Sequence, residues 1–278
     1  MTKLEQSLAT PFEVHVLASG SKGNCTLVRY GKTAILIDVG ISARRIKTAM
    51  KDLDVPLSYL QGVFITHEHS DHIGGLQQFI KETGVPIYTR AATFKEIQSR
   101  LKIHANACIP VTKHVLDVGN LTVETFSTSH DAADPMGVAC YGGHQKMALL
   151  TDTGIVDDVM LGNMDESTML VLEANHDPFM LQYGAYTPAL KRRVAGPHGH
   201  LANEVTAQSL LMMKRPPELQ VVLAHRSEQN NSIGKVEETI SQILNNAGLR
   251  IGSDIHFLHG QPKECVSMYD IERRKPNE

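Results

Sequence analysis

The chain has 278 residues, 42% of them hydrophobic and 21% charged, with a formal net charge of −3. That length is enough for a sizeable core in one large domain or two, and the composition excludes a disordered or low-complexity protein. The slight acidity excludes a global cationic field for nucleic acid, so any such partner must be held locally.

Strands are predicted at Phe12–Ala18, Cys25–Tyr30 and Thr33–Asp38, parted by glycine-containing turns. Ser42 is a candidate N-cap for a helix with Ile46, Ala49, Met50 and Leu53 on one face, closed by Pro56. The apolar run Val63-Phe64-Ile65 precedes a histidine-rich loop. A helix carrying Leu76, Phe79 and Ile80 follows and ends at Gly84 and Pro86. A short strand is expected at Ile87–Thr89. Further strands are expected at Leu121–Thr128, Gly137–Tyr141, Met147–Thr151, Met169–Glu173 and Gln220–Ala224. Helices are expected at Asn203–Lys214 and Ile233–Ala247. There is no linker, and the charged tail Ile271–Glu278 reads as frayed. Periodicity alone yields mixed α and β; strands with few helices in each half, twice over, would suit two sheets packed together with helices outside.

Cys25, Cys108, Cys140 and Cys265 are widely spaced and form no CxxC pair, which suits reduced thiols in a cytosolic protein. The N-terminus has no basic region followed by a long apolar stretch, so no signal peptide is expected. No run approaches the roughly 20 apolar residues of a spanning helix. These readings place the protein in the cytoplasm, away from membranes.

The strongest signal is Thr66-His67-Glu68-His69-Ser70-Asp71-His72. Three imidazoles and a carboxylate within six residues are hard to explain by packing, and imidazole suits zinc and related divalent metals. The His-x-His spacing lets two ligands reach one metal, and the Asp-His pair can face a second. His130, Asp152 and His225 each follow an apolar stretch and precede a polar turn, where a strand delivers a side chain to a sheet edge.

The HxHxDH string, with His130, Asp152 and His225 after it, resembles the signature of the metallo-β-lactamase superfamily. A narrower resemblance is carried by Ser19-Gly20-Ser21-Lys22-Gly23-Asn24, Ser129-His130-Asp131-Ala132, Leu172-Glu173-Ala174-Asn175-His176-Asp177, Leu190-Lys191-Arg192-Arg193, Gly199-His200-Leu201-Ala202-Asn203, and His225 with Ser227 leading into Asn230-Asn231. This set is similar to the YycJ/WalJ (VicX) family, from about Phe12 to His259. The resemblance implies an αββα sandwich of two similar halves over residues 1–278, with metals at one edge between the sheets. It implies two divalent ions, Zn2+ or Mn2+: His67, His69 and His130 on one, Asp71, His72 and His225 on the other, and Asp152 between them. It further implies 5′-to-3′ exonuclease action on DNA. Ala202 and Arg226 depart from the family's usual Ser and Leu, which bears on substrate contacts and leaves the metal set untouched.

Asp71 is expected to orient the attacking water, and His200 to protonate the leaving oxygen or bind a phosphate oxygen. Ser19, Ser21 and Asn24 are expected to cradle a terminal phosphate with backbone N–H groups. Asn175, His176, Asn203, Ser227, Asn230 and Asn231 are the remaining candidates for substrate contact. Asp131 and Asp134 are expected to orient His130, and His198 is a candidate for the site rim. Lys191-Arg192-Arg193 reads as a solvated face more than a phosphate track. His15, His104, His114, His144, His256 and His259 lack supporting neighbours and read as structural. With no Trp and few aromatics, an extended base-stacking platform is not expected, and contact should be mainly with the nucleic-acid backbone. Two other functions compete with a phosphodiesterase: a small ester, thioester or lactam hydrolase, and a non-catalytic metal-binding module.

Overall fold

The computed structural model describes residues 10–270, so the expected frayed tail lies outside the described residues. The first half contains β1 (Phe12–Ala18), β2 (Cys25–Tyr30), β3 (Thr33–Ile37), β4 (Leu60–Phe64), β5 (Ile87–Thr89) and β6 (Cys108–Pro110). Helices α1 (Ala43–Asp52), α2 (Ser70–Ile73), α3 (Leu76–Thr83) and α4 (Ala91–Arg100) join them. The second half contains β7 (Val115–Val118), β8 (Leu121–Ser127), β9 (Met136–Gly142), β10 (Gln145–Leu150), β11 (Met169–Glu173), β12 (Leu219–Ala224) and β13 (Ile255–His259). Its helices are α5 (Asp158–Met164), α6 (Pro178–Tyr183), α7 (Pro188–Val194), α8 (Asn203–Met212) and α9 (Ile233–Asn246), and β14 (Val266–Tyr269) follows.

The strands form two seven-stranded sheets, in the orders β14-β1-β2-β3-β4-β5-β6 and β13-β12-β11-β10-β9-β8-β7. β1, β2 and β3 run antiparallel, and β3 through β6 run parallel. β8, β9 and β10 repeat the antiparallel part, and β10 through β13 the parallel part. The halves are therefore two copies of one topology. Each copy has one extra edge strand, β14 or β7.

Side-chain alternation assigns the layers. Ile35 and Ile37 of β3 and Val16 of β1 pack with Leu149 of β10 and Val171 of β11 in the core between the sheets. The alternate residues Ala34 and Leu36 face outward against Ile46 and Met50 of α1 and Phe79 of α3. Leu170, Leu172 and Leu150 likewise pack against Leu210 of α8 and Ile240 and Leu244 of α9. Central strands covered on both faces are apolar throughout rather than alternating, as the sequences of β3, β11 and β12 show. The result is the αββα sandwich. Ser42 caps α1 by accepting from the Arg45 amide at 3.4 Å, and Gly84 ends α3 in the left-handed conformation.

The parallel strands of both halves end at one rim, and their connections are held there by close backbone approach. Gly40 N donates to Asn24 O at 2.8 Å, and Asn24 N donates to Asp71 O at 2.7 Å. A Cβ on Gly40 would lie 1.7 Å from the Asp71 carbonyl oxygen. Gly40→Ala must therefore push back the loop bearing Asp71. The expected loss is about 1–3 kcal/mol or more, with a melting temperature lower by roughly 2–4 °C for each kcal/mol. Thermal unfolding beside a metal titration checks both the stability and the displaced loop.

Candidate metal centre

Six chain segments deliver the histidine and carboxylate cluster to the rim: the loop after β4 with α2, the loop after β8, the ends of β10, β11 and β12, and the turn before α8. Asp38, Asp152 and His225 each follow a strand with positive φ, at 61°, 56° and 49°. This region is sparsely used by residues other than glycine and costs of order 1–3 kcal/mol each. The reversal turns each side chain back across the strand ends into the rim.

The donor atoms fall into overlapping groups: His67, His69 and His130; Asp71, His72 and His225; His67, His72 and Asp152; and Asp152, Glu173, His200 and His225. Within each group they lie within 4.8 Å of one another. His130 Nε2 is 3.3 Å from His69 Nδ1. His72 Nε2 and His225 Nε2 lie 3.4 and 3.3 Å from Asp71 Oδ2. Asp152 stands between the groups. Its Oδ1 is 3.7 Å from His130 Nε2 and its Oδ2 is 3.3 Å from His72 Nε2.

The far side of most of these rings is anchored. His67 Nδ1 is 3.0 Å from Thr66 Oγ1, which itself donates to Asp38. His72 Nδ1 donates to Asp38 Oδ2 at 2.7 Å, and His130 Nδ1 to the Gly199 carbonyl at 3.1 Å. His225 Nδ1 and His200 Nδ1 both donate to Glu173 Oε1, at 2.9 and 2.8 Å. A ring whose outer nitrogen donates to a carboxylate or carbonyl presents the other as a lone pair, which is how metal-binding imidazoles are oriented. Among the buried polar atoms without a hydrogen-bond partner are two of this cluster, His67 Nε2 and Asp152 Oδ2, the latter with the His72 ring 3.3 Å away. Leaving such atoms unpaired is costly, and a divalent cation would satisfy both. The residues therefore fit divalent metal ions.

Charge follows from the burial. Burial pushes the Asp71 carboxyl up, but the His72 and His225 charges and hydrogen bonds outweigh it and hold it well below the carboxylate range. The Glu173 carboxyl is likewise raised by burial, yet ends at about 2 beside His200 and His225. Burial lowers His72 and His225, but Asp38 and Asp152 reverse this for His72, and Asp152 with Asp71 and Glu173 for His225, so both stand well above the usual imidazole value. His67 is driven well below it, first by burial and then by the His72 charge. Without metal, protons on His72 and His225 offset the buried carboxylates.

Several sequence expectations need correction. Asp134 pairs with Arg90 at 2.6 Å, so it does not orient His130; the Gly199 carbonyl does. Asp131 Oδ1 lies 3.5 Å from His130 Nε2, on the donor side, and Asp131 Oδ2 pairs with Arg193. The Ser19–Asn24 turn is not an open phosphate cradle. The amides of Ser19, Gly20, Gly23 and Asn24 all donate within the fold. Ser19 Oγ accepts from His225 N at 2.7 Å, and Asn24 Nδ2 donates to Asp71 Oδ2 at 3.1 Å. These side chains brace the centre, while Ser21 is exposed. Asn175 donates to the His225 carbonyl, and Asn203 and Asn231 exchange amide hydrogen bonds in the interior. Ser227 Oγ accepts from the Gln229 and Asn230 amides, and Asn230 O accepts from Asp177 N. The side chains of Asn175, Asn203, Asn231 and Ser227 are thus bonded within the fold, while Asn230 Oδ1 is buried without a partner. His176 is also buried, and burial lowers it to about 4. His198 is exposed at the rim, 3.0 Å from Ser129 Oγ.

Sequence reasoning missed Asp38 and Glu173 as site residues. Each closes an apolar strand with an acid, which was the available signal: a carboxylate there is buried and must have partners.

Residues 18–225 match the metallo-beta-lactamase superfamily. The chain is 34% identical to an exodeoxyribonuclease YycJ of Bacillus anthracis over 89% of its own length and 95% of the relative's. It is 29% identical to an exodeoxyribonuclease WalJ of Streptococcus pneumoniae, over 94% and 98%. Among solved structures it is similar to the metallo-beta-lactamase fold protein YhfI of Bacillus subtilis, with a TM-score of 0.68 at 14% identity, covering 92% of this chain and 99% of that one. Zn(2+)-bound PqqB of Methylobacterium extorquens gives a TM-score of 0.65 at 14% identity, over 92% and 99%.

A metal held by His72 and His225 would have to displace the protons on these rings, whose pKa values are raised. Binding should therefore release protons near neutrality, and affinity should strengthen as pH rises. In the metal-free chain the sign is opposite. Stability from these two histidines is fully present below the ordinary imidazole value and is lost as pH rises through their raised values. Calorimetric zinc titrations in buffers of different ionisation enthalpy measure the release, and metal-free unfolding against pH measures the second effect.

Proposed function

The chain belongs to the metallo-beta-lactamase superfamily, and from that premise we propose that it is a two-metal phosphodiesterase degrading DNA from the 5′ end. The coarser class, a metal-dependent hydrolase, follows from family membership and from the exonuclease-named relatives matched over nearly their whole length. No helix among the described residues is long and apolar enough to cross a membrane. One observation carries the finer reading: two donor groups lie side by side with the Asp152 carboxylate turned towards both. His67, His69 and His130 would hold one ion, Asp71, His72 and His225 the other, and Asp152 would contact both.

A bound pair of zinc or manganese ions would supply Lewis acidity matched to the two oxygens of an in-line phosphoryl displacement. The chain's own groups supply the rest. Asp71 accepts hydrogen bonds and so orients water at the rim, with Asn24 holding the carboxylate in place. His200 is only partly buried, its side chain 18% exposed, and its Nδ1–H is committed to Glu173. With Nδ1 held by Glu173, Nε2 is left as the candidate proton donor to the leaving oxygen. Glu173 is fully buried and also accepts from the Thr153 and Leu201 amides, which fixes the carboxylate that orients His200. Ser21, exposed on the turn beside Asn24, is the sequence-derived contact that keeps a free position for the strand. The relatives' exodeoxyribonuclease names support a DNA end as substrate.

His200→Ala is expected to retain its metals and to lower kcat on the order of 10²–10⁴-fold, with a smaller change in KM. Metal analysis with steady-state kinetics checks this, and loss of an ion would make His200 a ligand instead. Asp71→Ala and His72→Ala should abolish activity and bind fewer than two ions while staying folded by circular dichroism. On end-labelled DNA, 5′ nucleotides should be released first. Rapid cutting of closed circular single strands would overturn the exonuclease reading.

A further inference from the structure

Phe179 and Tyr183 are each 68% exposed, one turn apart on α6, with ring centroids 4.5 Å apart and an interplanar angle of 47°. Single exposed apolar residues are ordinary, but two adjoining rings on one short helix form a patch that calls for an explanation. Their surroundings are cationic. The segment from Pro178 to Val194 carries Lys191, Arg192 and Arg193 and no carboxylate, in a chain whose net charge is −3.

The segment is tied to the metal centre at both ends. Where α6 begins, Asp177 N donates to Asn230 O at 2.9 Å, and nearby Asn175 Nδ2 donates to the carbonyl of His225 at 2.7 Å. At the end of α7, Arg193 Nε donates to Asp131 Oδ2 at 2.5 Å, and Asp131 adjoins His130. Lys191 Nζ donates to Gln182 O at 2.7 Å, joining the two helices. Between them lies a cavity of about 270 Å³ lined by His176, Pro178, Leu181, Lys191, Arg192 and Ala195, among others. His176 is 3% exposed, and its Nδ1 is buried with no hydrogen-bond partner. The cavity brings Lys191 and Arg192 to one rim beside α6.

We propose that α6 and α7 form the strand-holding platform of the enzyme, with unpaired bases of a single-stranded end stacking on Phe179 and Tyr183 while Lys191 and Arg192 meet the adjoining phosphates. This deepens the phosphodiesterase reading and rests on it. Stacking on aromatic rings needs exposed base faces and tolerates any base, which a paired duplex does not offer. The platform has two rings and is bonded to segments next to His225 and His130, so it orients the end that enters rather than coating a long strand.

Metal-loaded wild-type protein, Phe179→Ala, Tyr183→Ala and the double variant are compared on a single-stranded oligonucleotide and on an abasic strand of equal length. A 2-aminopurine near the 5′ end of the normal strand reports stacking by its quenching. On the normal strand each alanine should raise KM about tenfold, leave kcat nearly constant and relieve the quenching. Tyr183→Phe and Phe179→Tyr should behave as wild type. On the abasic strand, wild type and double variant should share one KM. Unchanged KM and quenching in the double variant, with the wild type active, would overturn the platform and leave the phosphodiesterase reading standing. An equal loss on both strands would overturn base stacking in favour of a backbone contact. A wild type that cleaves neither strand with zinc or manganese would overturn the phosphodiesterase reading, and the platform with it.

Discussion

Buried negative charge is the constraint on which the rest of this molecule depends. Asp38, Asp152 and Glu173 are 2%, 3% and 0% exposed at the ends of apolar strands. A carboxylate in such surroundings is tolerated only if paired and fully hydrogen-bonded. Asp38 takes the Thr66 amide, the Thr66 hydroxyl and His72; Glu173 takes the Thr153 and Leu201 amides and two imidazoles. The histidines gather because these acids need partners that can be cations or can bind cations. The positive φ values at Asp38, Asp152 and His225 are the backbone cost of aiming side chains into so small a volume.

The two halves show how one topology yields an asymmetric site. Asp38 follows β3 and Asp152 follows β10, at matching positions of the repeated strand order and with similar backbone reversal. Asp38 meets the outer Nδ1 of His72 and acts as an orienting group, whereas Asp152 lies among the inner Nε2 atoms of His72 and His130 and also within 3.4 Å of the His225 Nδ1. The difference comes from the following loops. The first half sends its next strand directly into the histidine loop, while the second inserts α6, α7 and the His200 turn. Glu173 then serves His225 and His200 together, so one carboxylate sets the orientation of a candidate ligand and of a candidate acid.

Most of the sheet core was legible because strands covered on both faces are long apolar runs. The strands at Phe12–Ala18, Cys25–Tyr30 and Met169–Glu173 agree with the structure. β7 and β14 were not legible, being short edge strands with mixed exposure. Nor were α6 and α7, at six and seven residues too short to show a period. The histidine cluster was legible because several imidazoles in one loop have few packing explanations. The framework role of Asn175, Asn203 and Asn231 was not, because a polar residue beside a site reads alike whether its amide faces a substrate or another amide. The bond from Asn175 to the His225 carbonyl and the reciprocal bond between Asn203 and Asn231 distinguish them.

The pairing of β1 with β14 has a kinetic meaning. β1 is the first described strand and β14 the last, and they are joined from Glu13 opposite Tyr269 to Val16 opposite Val266. During synthesis, the outer side of β1 stays an open ladder until β14, about 250 residues later, has emerged. Such long-range closure is slow, and an open strand edge invites pairing with other chains. Ser19, just beyond β1, accepts the amide of His225 and donates its own amide to Gln261. The sheet edge and the last imidazole of the centre therefore come into place in the same late stage, so a chain stalled before it would be both incomplete in its chemistry and prone to aggregate.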